Sequence, residues 1–185
     1  MNTKHDFKHI CYDVTNLFDG VDTVSKFMNR VEKQCNLHPE RWAAEDYKGK
    51  ALESLIEVLI LFSPIDKRIN IIDYLPILKK DMGVDGRGKS HSGKQHTVQV
   101  KYRSNVNKYL TANEDHTSNF VAHSYTICQS FEIDMTIFTT AKDLNTKVKE
   151  EMYDDKVRVI GYKELCQFVN ENTIFWKLFK DSLVK

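Results

Sequence analysis

From Gly83 to Arg103 the chain reads Gly-Val-Asp-Gly-Arg-Gly-Lys-Ser-His-Ser-Gly-Lys-Gln-His-Thr-Val-Gln-Val-Lys-Tyr-Arg. Two strand-forming runs, Val84 to Lys89 and His96 to Arg103, flank a Ser-His-Ser-Gly turn, a pattern that predicts an antiparallel hairpin. Side chains alternate across a strand, so Gln99 and Lys101 share one face while Val98, Val100 and Tyr102 take the other. Asp85 follows Gly83-Val84 and precedes Gly86. The missing side chains at such glycines let a ligand approach the backbone.

An acid, an amide oxygen and an ammonium therefore gather on a hairpin whose opposite face is apolar. A hard divalent cation such as Mg2+ takes one or two carboxylates, carbonyl oxygens, waters and substrate phosphate oxygens. Asp85, the Gln99 amide and the Val100 carbonyl can supply such a set, and Lys101 would then face the attacking water or the charge that builds on phosphorus. That is a layout for phosphodiester hydrolysis.

Asp85, thirteen intervening residues and then Gln99-Val100-Lys101 resemble the motif of the PD-(D/E)xK nucleases in its Mrr-like form, in which Gln stands in place of the second acid. Lys48-Gly49-Lys50-Ala51-Leu52-Glu53-Ser54-Leu55 resembles the first core helix of that group, Ile137-Phe138-Thr139-Thr140-Ala141 a later core strand, and Val159-Ile160-Gly161 with Glu164-Leu165 the terminal strand and helix. Val84 stands where the family's name-giving proline precedes the acid. The resemblance implies an α/β, restriction-endonuclease-like core: a central mixed sheet of four to five strands flanked by helices. It also implies that the helix-borne Glu53 completes the metal site of Asp85, Gln99 and Val100, with Mg2+ as cofactor and Mn2+ able to replace it. The nearest variety is the nuclease domain of single-chain restriction enzymes and related viral or phage proteins that join a nuclease to a helicase.

Nothing in the composition opposes this. The 185 residues are 41% apolar and 29% charged, ordinary values for a globular chain. No apolar run approaches the length of a membrane helix, and the first residues lack a signal-peptide core, so an intracellular protein is expected, cytoplasmic or in a nuclear or viral compartment. Cys11, Cys35, Cys128 and Cys166 lie far apart in apolar helical contexts, as reduced core residues do. The net charge is +1, yet Gly86 to Leu110 holds Arg87, Lys89, Lys94, Lys101, Arg103 and Lys108 without one acid. That local field suits a phosphate backbone, with Arg87 and Arg103 as phosphate contacts and Lys89 and Lys94 nearer the hairpin tip. A solvated hairpin is the plainer reading of the same charges.

Other chemistries find less support. His91 and His96 have no partnering cysteine spacing for zinc, which leaves phosphate contact or plain solvation, and His116 and His123 can at most share a helix face. Gly86-Arg87-Gly88-Lys89-Ser90 lacks the full phosphate-loop spacing, and no Ser-His-Asp pattern is present.

Along the chain, helices are expected over residues 4–18 and from Asp22-Thr23 to Asn36, an extra N-terminal helical pair. Residues 48–62 form a helix apolar nearly all round, interrupted by Glu53 and Glu57 one turn apart. A carboxylate there is costly unless paired or metal-bound, which makes Glu53 the metal candidate and Glu57 its alternative. Arg68 to Leu78 reads as the first strand, with Pro76 at its edge or a bend. A helix over 117–131, a strand over 134–140, a charged surface helix over 142–153, a strand over 157–161, a helix over 162–170 and an aromatic helical stripe over 174–179 follow. Residues 1–45 are expected as a helical extension packed on a core of 46–185, one domain overall.

The function expected is a metal-dependent endonuclease acting on double-stranded DNA, with a fused or associated helicase or translocase and a homodimer as candidate partners and no membrane. The alternatives are a non-catalytic DNA-binding or assembly module that keeps the fold, and a dimeric resolvase acting on branched DNA.

Overall fold

A computed structural model describes residues 17–39, 44–63, 66–77, 83–111, 117–145 and 156–183. They contain helices α1 (Val24–Leu37), α2 (Ala44–Phe62), α3 (Thr117–Cys128), α4 (Tyr162–Val169) and α5 (Thr173–Leu183), and strands β1 (Ile72–Pro76), β2 (Gly86–Lys89), β3 (Gln95–Lys101), β4 (Ile133–Thr139) and β5 (Val157–Ile160). The chain divides into two compact units. One takes the described residues of Met1–Phe62 and Lys163–Lys185, the other those of Ser63–Tyr162.

In the second unit the five strands form one mixed sheet in sequence order. The first three are antiparallel neighbours, whereas β4 joins β3, and β5 joins β4, in parallel. Parallel neighbours need a crossover, and α3 lies between β3 and β4 in the chain. Thr97 Oγ1 on β3 donates to Ser124 Oγ on α3 at 2.8 Å. The core on this side gathers Val84, Phe120, Ile133, Met135 and Ile137 with Leu110, Ala141 and Leu144. The fold class is thus α/β with a five-stranded mixed sheet.

The expected hairpin forms as β2 and β3. Its turn is closed by Ser90 N–H to Lys94 O and Gly93 N–H to Ser90 O, both 2.9 Å, with Gly93 at φ 86°. Gly86 and Gly88 serve a purpose the sequence does not suggest. A Cβ on Gly86 would lie 2.2 Å from Tyr74 Oη, and one on Gly88 2.6 Å from the Ile72 carbonyl oxygen. These glycines make room for β1.

Three expected elements are corrected. The first strand is Ile72–Pro76 rather than Arg68–Leu78: Asn70, at φ 56°, interrupts the run ahead of it, and Asp73, at φ 52°, makes an irregularity within it. The Asn70 side chain accepts the His91 N–H at 3.0 Å, which ties the chain ahead of β1 to the hairpin turn. The helix expected to reach Phe131 ends at Cys128, where Gln129 turns to φ 49°. Residues 142–145, expected as the start of a charged helix, are not helical: Leu144 bridges Leu110 in parallel and both are buried. The remainder of that expected helix, residues 146–153, lies outside the described residues, as do residues 4–16 of the first expected helix, Cys11 and His116.

The first unit is helical. Thr23 Oγ1 accepts the Lys26 N–H and caps α1. Val24, Phe27, Met28, Val31 and Cys35 then recur at helical spacing on its buried face. On α2, Leu52, Leu55, Ile56, Leu59 and Ile60 are all buried. The aromatic stripe of α5 is core: Phe179 lies 5.2 Å from Phe18 and 5.9 Å from Phe27, centroid to centroid, both edge-on. Trp176 Nε1 donates to Val169 O at 2.7 Å, so the indole N–H is satisfied as it is buried. Glu171 N–H to Asp22 O and Val24 N–H to Asn170 Oδ1 fasten the α4–α5 turn to the start of α1. None of Cys35, Cys128 and Cys166 is in a disulfide. Burial pushes the thiols of Cys35 and Cys128 up from their ordinary range.

Candidate functional site

Asp85 lies one residue before β2 and is fixed at three atoms. Its N–H donates to Val98 O at 2.8 Å and its carbonyl accepts the Ile77 N–H at 2.9 Å. Its carboxylate Oδ2 accepts the Val100 N–H at 2.6 Å. The paired register of β2 and β3 ends at Gly86 opposite Val98. Beyond that point the Asp85 side chain supplies the acceptor that a neighbouring strand would otherwise present to Val100. The N–H and C=O of one strand residue point to the same edge, so the Val100 carbonyl opens on the side of the Asp85 carboxylate.

Lys101 follows at the end of β3 and is half-buried. Its main chain is pinned from β4, where Thr139 Oγ1 donates to Lys101 O at 2.7 Å. Thr140 holds the next segment reciprocally, accepting the Arg103 N–H at 2.6 Å and donating to Arg103 O at 2.8 Å. In the sequence Thr139 and Thr140 stand only at the end of the strand expected over 134–140. Their adjacency, in register with Lys101, was the available signal that they brace the strand carrying the lysine.

Gln99 shares the Lys101 face, as alternation requires, but it is fully buried. Its Nε2 donates to Gly83 O at 2.9 Å, and its Oε1 is buried without a hydrogen-bond partner. The opposite face holds the expected apolar residues, with Val98, Val100 and Tyr102 all buried.

Glu53 belongs to the helical unit, where its Oε2 is ion-paired with Lys50 Nζ across one turn of α2. Glu57, one turn on, is buried at 8% exposure. Arg87 and Lys89 are exposed on β2 and Lys94 is exposed in the hairpin turn. At roughly 3.3 Å per residue, Arg87 stands about 7 Å and Lys89 about 13 Å along the strand from Asp85. Arg103 is half-buried, with its Nη1 donating to Tyr102 O at 2.7 Å.

The histidines are sorted cleanly. His91 Nδ1 lies 3.0 Å from Asn70 Oδ1 in the turn. His96, expected in phosphate contact or solvated, is instead buried in β3, with Nε2 2.8 Å from Thr136 Oγ1. Burial pushes its pKa down to about 4, which keeps the ring neutral near pH 7.

Among the described residues no three His, Cys, Asp or Glu side chains gather to hold a metal ion. A mixed donor set is nevertheless present. Gln99 Oε1, buried without a hydrogen-bond partner, the Asp85 carboxylate that accepts the Val100 N–H, and the Val100 carbonyl are hard oxygens, the donor chemistry a divalent cation completed by water and phosphate takes. No helix among the described residues is long and apolar enough to cross a membrane. Comparison with protein-family models, with curated proteins and with solved structures finds no match.

Proposed function

We propose that this chain is a metal-dependent DNA endonuclease of the PD-(D/E)xK kind. The observation that carries the reading is the 2.6 Å bond from the Val100 N–H to the Asp85 carboxylate. Through it an acid is held against the strand in which Lys101 follows Val100, which supports a reading of phosphodiester hydrolysis. The element order supports the reading: a helix, three antiparallel strands, a crossover helix, then a parallel strand.

In this reading Asp85, the Val100 carbonyl and Gln99 Oε1 hold Mg2+ or Mn2+. The bound ion supplies Lewis-acid polarisation of the phosphoryl oxygen and a more acidic water. Lys101 orients that water and opposes the negative charge gathering on the phosphate as the new O–P bond forms and the ester bond breaks. Arg87 and Arg103 hold flanking phosphates, and Lys89 and Lys94 extend the contact towards the hairpin tip. Such contacts position duplex DNA without reading its sequence. Choice of target would then come from a fused or associated translocase or from pairing of two copies.

One observation favours a second reading, a DNA-binding module that keeps the fold without cutting. Gln99 is fully buried and its amide nitrogen is already committed to Gly83. Nicking of supercoiled plasmid in Mg2+ or Mn2+ separates the two, run beside Asp85→Ala and Lys101→Ala. The endonuclease reading expects the wild type to nick and both variants to bind DNA without nicking. Unchanged nicking in the variants overturns the site; a wild type that binds and never nicks selects the second reading.

A further inference from the structure

Gln99 uses the two atoms of its amide differently. Nε2 donates to Gly83 O, while Oε1 has no hydrogen-bond partner although the residue is fully buried. The chemistry fixes this orientation. Turned over, Oε1 would face the Gly83 oxygen, acceptor against acceptor, and a buried amide N–H would lose its partner. The fit at Gly83 is close: a Cβ there would lie 3.0 Å from Nε2, and the residue's φ of 99° favours glycine.

From Gly83 the chain enters Val84, fully buried, and then Asp85. The N–H of Asp85 bonds to Val98 O, and its carboxylate bonds to the N–H of Val100, the residue after Gln99. The same short length of β3 therefore holds the Asp85 turn at both ends, by a side chain at Gly83 and by a main-chain N–H at the carboxylate.

We infer that Gln99 is a positioning residue that locks the Asp85 turn through Gly83, and that glutamine rather than glutamate is what this position requires. An amide gives Gly83 a donor at any pH and keeps one oxygen uncommitted, whereas an ionised carboxylate, the form that binds a metal, gives no donor. A carboxylate here offers a better metal ligand and no donor, so it sets two buried acceptors against each other. The inference rests on the reading of Asp85 as the acid of a hydrolytic site. Its consequence runs against ligand strength alone: Gln99→Glu, which supplies the acid usual in this motif, weakens the site.

The test compares wild type, Gln99→Glu and Gln99→Met. In metal-free, DNA-free protein, amide hydrogen exchange at Asp85 and Val100 should quicken about ten- to a hundredfold in both variants, the effect of leaving one buried acceptor unsatisfied. Amides of Ile137 and Phe138 on β4 should stay within about twofold. Mn2+ should bind Gln99→Glu about tenfold more weakly than wild type, and nicking should lose kcat with KM kept. Wild-type exchange at both amides in Gln99→Glu, or tighter Mn2+ binding by it, overturns the inference. Should Gln99→Glu fail to fold, Gln99→Met carries the exchange comparison. A wild type that neither binds Mn2+ nor nicks removes the hydrolytic reading, while exchange alone still decides whether Gln99 locks the turn.

Discussion

His96 carries a stability change with pH that follows directly from its burial. Only 3% of the residue is exposed, its Nε2 is engaged with Thr136 Oγ1, and Nδ1 has no hydrogen-bond partner. Loss of hydration pushes the pKa down to about 4, against the smaller opposing pull of Asp134 and the Asn70 main chain, with Arg158 adding to the depression. In the unfolded chain the ring titrates near its ordinary value of about 6.5. The unfolded state therefore takes up the proton first as pH falls. The contribution of the neutral ring is intact above about pH 6.5 and is lost progressively down to about pH 4. About 2.5 pH units at about 1.4 kcal/mol per unit gives roughly 3 kcal/mol in all, about half of it gone by pH 5.5. For a chain of this length that is a fall in Tm of about 6–12 °C. Urea unfolding at pH 7, 5.5 and 4 of wild type beside His96→Gln isolates the effect, since carboxylates titrate alike in both and the glutamine amide can still reach Thr136. The difference between the two proteins should shrink by about 3 kcal/mol from pH 7 to 4. Parallel pH profiles would refute the buried neutral ring.

Two substitutions near the site test its construction. Asp85→Ala removes the acceptor of the Val100 N–H and should cost about 1–3 kcal/mol, whereas Asp85→Asn keeps an acceptor and should stay within about 1 kcal/mol of wild type. Both should lower nicking more than about a hundredfold, and an Asp85→Ala protein as stable as wild type would show that the side chain does not stand in for a strand. Gly86→Ala places a methyl 2.2 Å from Tyr74 Oη and 2.4 Å from two ring carbons, an overpacking expected to cost about 3 kcal/mol in chemical denaturation. Combined with Tyr74→Ala, the loss should be less than additive by more than about 1 kcal/mol; strict additivity would mean the ring is not what excludes the side chain.

Strong local periods made the sheet legible. The alternation from His96 to Lys101 and the Met135-Ile137 pair each imply a strand and lie in one, and the β-branched run before Asp85 contains the shorter β1. The Asp85, Gln99 and Lys101 spacing was legible as a hairpin, because the Ser-His-Ser-Gly turn sets the register. Long-range effects were not. Nothing local shows that Gly86 and Gly88 yield space to Tyr74 and Ile72, or that Leu144 in a charged segment pairs with Leu110 far back in the chain. Nor does anything local show that His96, expected in phosphate contact or solvated, is buried with Thr136 of the parallel strand opposite as its partner. The burial of Gln99 is of the same kind, since its amide closes on Gly83 of the preceding turn.

β1 is an outer strand of the sheet, and its unpaired rim would ordinarily offer further strands a place to add. The Ile77 N–H points inwards to Asp85 O, so the nitrogen of Pro76 before it points outwards with no hydrogen to give. Asp73, at φ 52°, and the irregular register between Ile72 and Leu75 bend the same rim. Crowded copies of this chain thus meet a rim that does not template growth into fibres. A peptide that binds by lengthening the sheet is left with the opposite rim, where β5 offers the four residues Val157–Ile160.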